Sequence, residues 1–166
     1  MRLAVLSDIH DQTDNLRAIL TVLEPFQVDI LLLCGDITQP QTLAQCRLPG
    51  VRLSFCLGNC DHGRAERLLE AGTMMGANGF SGLGRLSVPE GGIAFCHFPA
   101  QARLAADSGL YQAVFYGHSH RPGIQRLALA GGSVLLANPG DVEGRHGRVS
   151  GLLYDSRDQS CVLIDA

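Results

Sequence analysis

The chain has 166 residues, 46% of them hydrophobic, which is enough to build one core without disulfides, and a single domain over 1–166 is expected. A net charge of −3 and a pI near 6.0 supply no basic field for gripping a polyanion, so no stable nucleic-acid complex is expected. All 13 basic residues are Arg, which excludes lysine Schiff-base and Walker-type phosphate-lysine chemistry and suggests the compositional bias of a GC-rich bacterial genome.

In chain order, residues 2–7 form a compact apolar strand, and 12–26 follow as a helix with Leu16, Ile19, Leu20 and Leu23 on one face and Pro25 at its end. Residues 28–34 read as a strand covered on both faces, 42–46 as a short helix, 51–57 as a third strand and 64–71 as a helix carrying Ala65, Leu68 and Leu69. This alternation predicts a largely parallel layer. Residues 76–92 are glycine-rich with short strand-like pieces, 93–97 form a strand, 100–107 a helix and 113–116 a further strand. From 124 onward, 124–129, 133–137, 151–154 and 161–164 read as antiparallel strands without intervening helices. The two halves are therefore expected to form two packed sheets with helices outside.

The apolar run after Met1 is far shorter than a signal h-region, and no later run reaches the ~20 residues needed to cross a bilayer. A cytoplasmic protein without membrane association is expected. The six cysteines form no CxxC pair and read as small buried hydrophobes, with Cys60 set apart because it lies inside a polar motif.

Six polar signatures close separate apolar runs: Asp8-Ile9-His10, Gly35-Asp36, Gly58-Asn59, His97, Gly117-His118-Ser119-His120 and Asn138-Pro139-Gly140. Asp, Asn and His are hard or borderline metal ligands, and loops after strands expose chemistry on a rigid support. Asp8 could equally serve as a helix cap or turn residue, and Asp36 as a turn former. His118 and His120 shift the balance, because a core role explains one histidine and hardly two. Asn59 is a weak ligand for an isolated cation but balances charge where two metals share a carboxylate, so a two-metal site is inferred.

The ordered motifs Asp8-x-His10, Gly35-Asp36, Gly58-Asn59-Cys60-Asp61, His97 and Gly117-His118-Ser119-His120 resemble those of the calcineurin-like metallophosphoesterases. The chain looks most like the small YfcE-like phosphodiesterases, which share the Gly-Asn-Cys-Asp variant and the late Asn-Pro-Gly. The resemblance implies a mixed α/β fold, a four-layer αββα sandwich of two mixed sheets flanked by helices. It puts Asp8, His10 and His120 on a first divalent metal, Asn59, His97 and His118 on a second, and Asp36 between them. Mn²⁺ fits this N/O set best, with Fe, Zn, Co or Ni compatible. Metals about 3.5–4 Å apart would activate a bridging hydroxide to attack a phosphodiester in line with its leaving group.

Where many relatives carry a His that protonates the leaving oxygen, this chain has Cys60. A thiol is a poor substitute, and Cys60 is read as structural and buried. Asp61 is expected to orient His10, and His62 is considered as a displaced acid against the simpler reading of a solvated loop residue. Asn59, Phe98, Arg145 and His146 are candidates to meet the substrate, although Arg145 and His146 read equally as a solvated loop. Asp141, where a serine is often found, adds negative charge that disfavours dianionic monoesters. The expected partner is a small-molecule phosphodiester, with a homo-oligomer possible. The alternatives are a phosphomonoesterase acting on metabolites or phosphoproteins, and a non-catalytic scaffold, as in a retromer subunit that shares the fold but lacks parts of the metal set.

Overall fold

The computed structural model describes residues 1–166. The first half of the chain runs β1 (Arg2–Leu6), α1 (Thr13–Leu23), β2 (Ile30–Cys34), α2 (Pro40–Gln45), β3 (Arg52–Cys56), α3 (Ala65–Met74) and β4 (Asn78–Phe80). The second half runs β5 (Gly84–Val88), β6 (Gly91–Phe95), α4 (Pro99–Asp107), β7 (Ala113–Phe115), β8 (Gly123–Leu129), β9 (Gly132–Asn138), β10 (Ser150–Asp155) and β11 (Ser160–Asp165).

Strands β1 and β2 are apolar at nearly every position because both their faces are covered. Leu3, Val5, Ile30, Leu32 and Cys34 point into the space between the sheets, while Ala4, Leu6, Leu31 and Leu33 alternate outward. That outer face receives Leu16, Ile19, Leu20 and Leu23 of α1, spaced to lie on one helical face, with Leu43 of α2 and Leu68 of α3 beside them. Past Leu23 the backbone tightens into a 3-10 turn over Glu24–Phe26, where Pro25 cannot donate to continue the α-helix.

The second sheet repeats this logic. Ile93, Phe95, Ala113, Phe115, Leu135 and Ala137 meet the first sheet, whereas Ala94, Cys96, Val114, Val134 and Leu136 face Ala102, Ala105 and Ala106 of α4. The layers are thus helix, sheet, sheet, helix, the expected αββα sandwich, with α4 alone covering the second sheet. Cys34, Cys46, Cys56 and Cys96 are buried, as small hydrophobes would be. No helix is long and apolar enough to cross a membrane.

The sheets do not divide the chain into halves as expected. The first has the order β11-β10-β1-β2-β3-β4 and the second β5-β6-β7-β9-β8. Strands β1 to β4 run parallel, but the C-terminal hairpin crosses back, so that β10 pairs antiparallel with β1 and β11 with β10. The region after 124 is also not wholly antiparallel, because β9 pairs parallel with β7. The parallel strands β1, β2 and β3 of one sheet and β6, β7 and β9 of the other each carry a polar signature just past their C-terminal ends.

Candidate metal centre

The loops after these strands are bonded to one another before any side chain is considered. Asp8 N–H donates to the Gly35 carbonyl at 3.1 Å, and the N–H groups of Ile9 and His10 both donate to the Asp36 carbonyl at 3.0 Å. Gly117 N–H donates to the His97 carbonyl at 3.1 Å. A Cβ at Gly58 would collide with the Asp36 carboxylate, and one at Gly117 with Ser7 and Asp8, which is why glycine precedes Asn59 and His118. Five candidate ligands, Asp8, His10, Asp36, His118 and His120, have positive φ between 45° and 69°. Non-glycine residues hold that conformation mainly where surrounding structure enforces it, often at functional sites.

The side chains converge into two donor groups that share Asp36. In the first, Asp8 Oδ1 lies 3.4 Å from His120 Nε2 and 3.9 Å from His10 Nε2, and His10 Nε2 lies 3.5 Å from Asp36 Oδ2. In the second, Asp36 Oδ2 lies 3.5 Å from His97 Nε2, and Asn59 Oδ1 lies 2.9 Å from both His97 Nε2 and His118 Nδ1. All seven residues singled out as metal ligands are therefore assembled.

Two observations fit a cation there. Asp8 Oδ1 and His10 Nε2 are buried without any hydrogen-bond partner, whereas Asp8 Oδ2 is close to Ser7 Oγ at 2.6 Å and accepts from His118 N–H at 3.0 Å. Burial pushes the Asp8 carboxyl up from its usual range, against the lowering pull of those bonds and of nearby histidines. At the second group, His97 Nδ1 faces the Cys34 carbonyl at 2.8 Å and must donate to it. In the neutral imidazole Nε2 is then an acceptor held against the Asn59 oxygen, an arrangement a shared cation would resolve.

Supporting residues only partly match expectation. Asp61 does not orient His10. It is fully buried and accepts from the N–H groups of Thr38 and Gly58 at 2.7 Å each, locking the Asp36 loop to the Asn59 loop, because its short turn points it back at its own backbone. The residue that orients an imidazole is Asp141, whose Oδ2 lies 2.7 Å from His120 Nδ1 and so leaves Nε2 free for the cluster. Asn138 also gains a role, since its Nδ2 reaches the Gly117 carbonyl at 2.9 Å and Ser119 Oγ at 3.0 Å, bolting down the loop of His118 and His120.

Cys60 is exposed, not buried as expected. Its N–H donates to Asp36 Oδ1 at 2.8 Å, and its sulfur accepts from Asn59 Nδ2 at 3.3 Å, within the donor group of His10 and Asp36. Desolvation, with the Asp36 charge beside it, pushes the thiol up to about 11. His62 is exposed on the 3-10 turn Asn59–Arg64 and makes no hydrogen bond or ion pair with the cluster, so the displaced-acid idea has no geometric support. Phe98 is exposed and packs edge-on against His97 and His118, ring centroids 5.0 Å apart in each case, at the rim of the second group. Arg145 reaches the first group through Glu143, with Nε 3.7 Å from Oε2, whereas His146 is exposed with no such contact. Glu143 was not legible in any motif, since it sits in an irregular loop.

Hard oxygens and imidazoles gathered at the strand ends of an αββα sandwich define a phosphoesterase scaffold equipped for divalent metals. The chain belongs to the calcineurin-like phosphoesterase superfamily, whose domain model matches residues 1–159. It is 26% identical over 151 residues to the phosphodiesterase MJ0936 of Methanocaldococcus jannaschii, spanning 87% of this chain and 86% of that protein. A solved archaeal phosphodiesterase matches with a TM-score of 0.88 at 22% identity over 100% of both chains. YfcE, a phosphoesterase from E. coli, matches at 0.68 and 18% identity over 99% of this chain and 98% of its own. The family and sandwich implied by the motifs are thus borne out.

Proposed function

We propose that the chain is a binuclear metal-dependent phosphodiesterase acting on small-molecule diesters. The observation that carries this reading is the convergence of seven side chains into two donor groups around Asp36 Oδ2, with Asp8 Oδ1 and His10 Nε2 left buried and unpaired. Asp8, His10 and His120 would hold one ion, Asn59, His97 and His118 the other, and Asp36 both. Mn²⁺ suits this mix of carboxylate, amide and imidazole. When bound, divalent ions neutralise charge on phosphate oxygens and make a water nucleophilic near neutral pH.

The chain's own residues supply order and selectivity. Asp141 and the Cys34 carbonyl set the tautomers of His120 and His97, so that both Nε2 atoms face the cluster. Asp8, Asp36, Asp141 and Glu143 crowd the site with carboxylates, which disfavours a dianionic monoester relative to a monoanionic diester. The diesterase name of MJ0936 agrees with that preference. A scaffold role is opposed by the full donor set, which a scaffold does not need. The test compares bis(p-nitrophenyl) phosphate with p-nitrophenyl phosphate at equal Mn²⁺. The expected result is a kcat/KM at least about tenfold higher on the diester, equivalent to roughly 1.4 kcal/mol; a higher value on the monoester would assign the site to phosphomonoesters.

A further inference from the structure

The candidate metal centre opens to solvent mainly on the side of its second donor group. Asp8 and His120 of the first group are buried and His10 is half-buried, whereas Asn59 and His118 of the second are exposed, with His97 sealed beneath them. An ester arm leaving the cluster towards solvent on this side passes the second group. Phe98 stands there: its ring packs edge-on against both His97 and His118, with centroids 5.0 Å away in each case, yet the residue stays 37% exposed.

Isolated exposed apolar side chains are ordinary on a protein surface, and Met74, Leu104 and Leu110 are more exposed than Phe98. Phe98 differs in being fixed against two candidate ligands. It caps α4 with φ −88° and ψ 135°, the extended conformation that the following Pro99 imposes on its predecessor. Its carbonyl accepts from Ala102 N–H at 3.0 Å and from Cys96 Sγ at 3.6 Å, which ties the backbone under the ring to the helix and to the strand end. Packing on the imidazoles explains where the ring sits and still leaves over a third of the residue in water. The chemistry around it is also one-sided. Carboxylates crowd the first group, while Asn59, His97 and His118 bring no fixed negative charge to the second, so recognition on the open side falls to flat apolar contact.

We propose that Phe98 is a specificity-determining residue that takes a planar aromatic ring carried on one ester arm of the substrate, whether a nucleobase or a simple aryl group. The proposal rests on the phosphodiesterase reading above and deepens it. A phosphate seated at the cluster leaves its arms to be placed by neighbouring residues, and a flat ring gains both buried area and stacking against a phenyl group that is already held still. An alkyl arm of similar reach has no face to stack.

Competitive inhibition of bis(p-nitrophenyl) phosphate hydrolysis by Mn²⁺-loaded protein tests this with three poorly reactive monoanionic diesters: dimethyl phosphate, methyl phenyl phosphate and the methyl ester of thymidylate. In wild type at least one aromatic diester should bind about tenfold or more tightly than dimethyl phosphate, the scale of stacking a base on an aromatic side chain. Phe98→Ala and Phe98→Leu should each bring that ratio down to about 2 or less, while Phe98→Tyr preserves it. The ratio is the decisive readout, because a merely structural disturbance of His97 or His118 weakens all three inhibitors alike. A preference for the thymidylate ester alone supports the proposal with a nucleoside arm, and equal preference for both aromatic diesters supports it with the ring alone. If wild type turns over bis(p-nitrophenyl) phosphate but shows no aromatic preference, or keeps that preference in both Phe98→Ala and Phe98→Leu, Phe98 is not a specificity residue and the phosphodiesterase reading stands. Wild type without metal-dependent turnover overturns both. The Leu variant keeps the core volume near that of the ring and so keeps the test decisive if Ala fails to fold.

Discussion

Cys60 stands where a proton donor is needed, and a thiol is a weak hydrogen-bond donor, poorly suited to handing a proton to a leaving oxygen. Turnover should therefore depend steeply on leaving-group pKa, fast for nitrophenolate and slow for alkoxide. Cys60→His should flatten that dependence and raise kcat on alkyl diesters by about 10²-fold, the lower range for general acid catalysis. His62→Ala should change neither. An unchanged slope in Cys60→His, measured over a series of aryl and alkyl diesters, would remove Cys60 from this account. At this scale the candidate ligands were legible because metal binding demands particular residue types at short spacings after a strand, as in Asp8-x-His10 and His118-x-His120. Cys60, Asp61 and Glu143 were misjudged or missed for the opposite reason: exposure, hydrogen-bond direction and loop course are set by tertiary packing and leave no local pattern.

At the level of elements, the same logic explains which strands could be read. The apolar runs of β1 and β2 record burial on two faces, whereas β10 and β11 show only that two strands pair, and their sequence is the same whichever sheet they join. What joins them to the first sheet is long-range: the β1–β10 ladder, reinforced where Asp155 meets Arg2 Nε at 3.6 Å and the N-terminal ammonium at 3.9 Å, while Arg157 Nε at 2.9 Å holds the same carboxylate from within the hairpin. The Arg157 hydrogen bond holds the Asp155 carboxyl well below the usual carboxylate range. A depressed folded-state value means stability that is present above the unfolded value of about 3.9 and is lost as pH falls towards the folded one. Asp155→Asn should accordingly lower Tm by a few degrees at neutral pH, the scale of about 1 kcal/mol for a domain of this size. That gap should close as the pH of the thermal melts is taken below about 4. A gap independent of pH would mean that the Asp155 charge does not anchor the hairpin.

For the molecule as a whole, two sheets with parallel central strands bring six strand-end loops to one edge, and the carboxylates and imidazoles gathered there leave buried polar atoms without hydrogen-bond partners, in groups that could hold a cation. A net charge of −3 supplies no overall basic field for phosphate, so the proposed reading requires recognition to be local to that edge. The measurement that bears most directly on this is hydrolysis of bis(p-nitrophenyl) phosphate as Mn²⁺ is titrated into chelator-stripped protein, with bound metal determined in parallel. Turnover should be absent without metal, rise to a plateau at about two equivalents per chain and vanish again on chelation, as expected of a two-metal site. Undiminished turnover in the stripped protein, or saturation with no metal retained, would contradict the account.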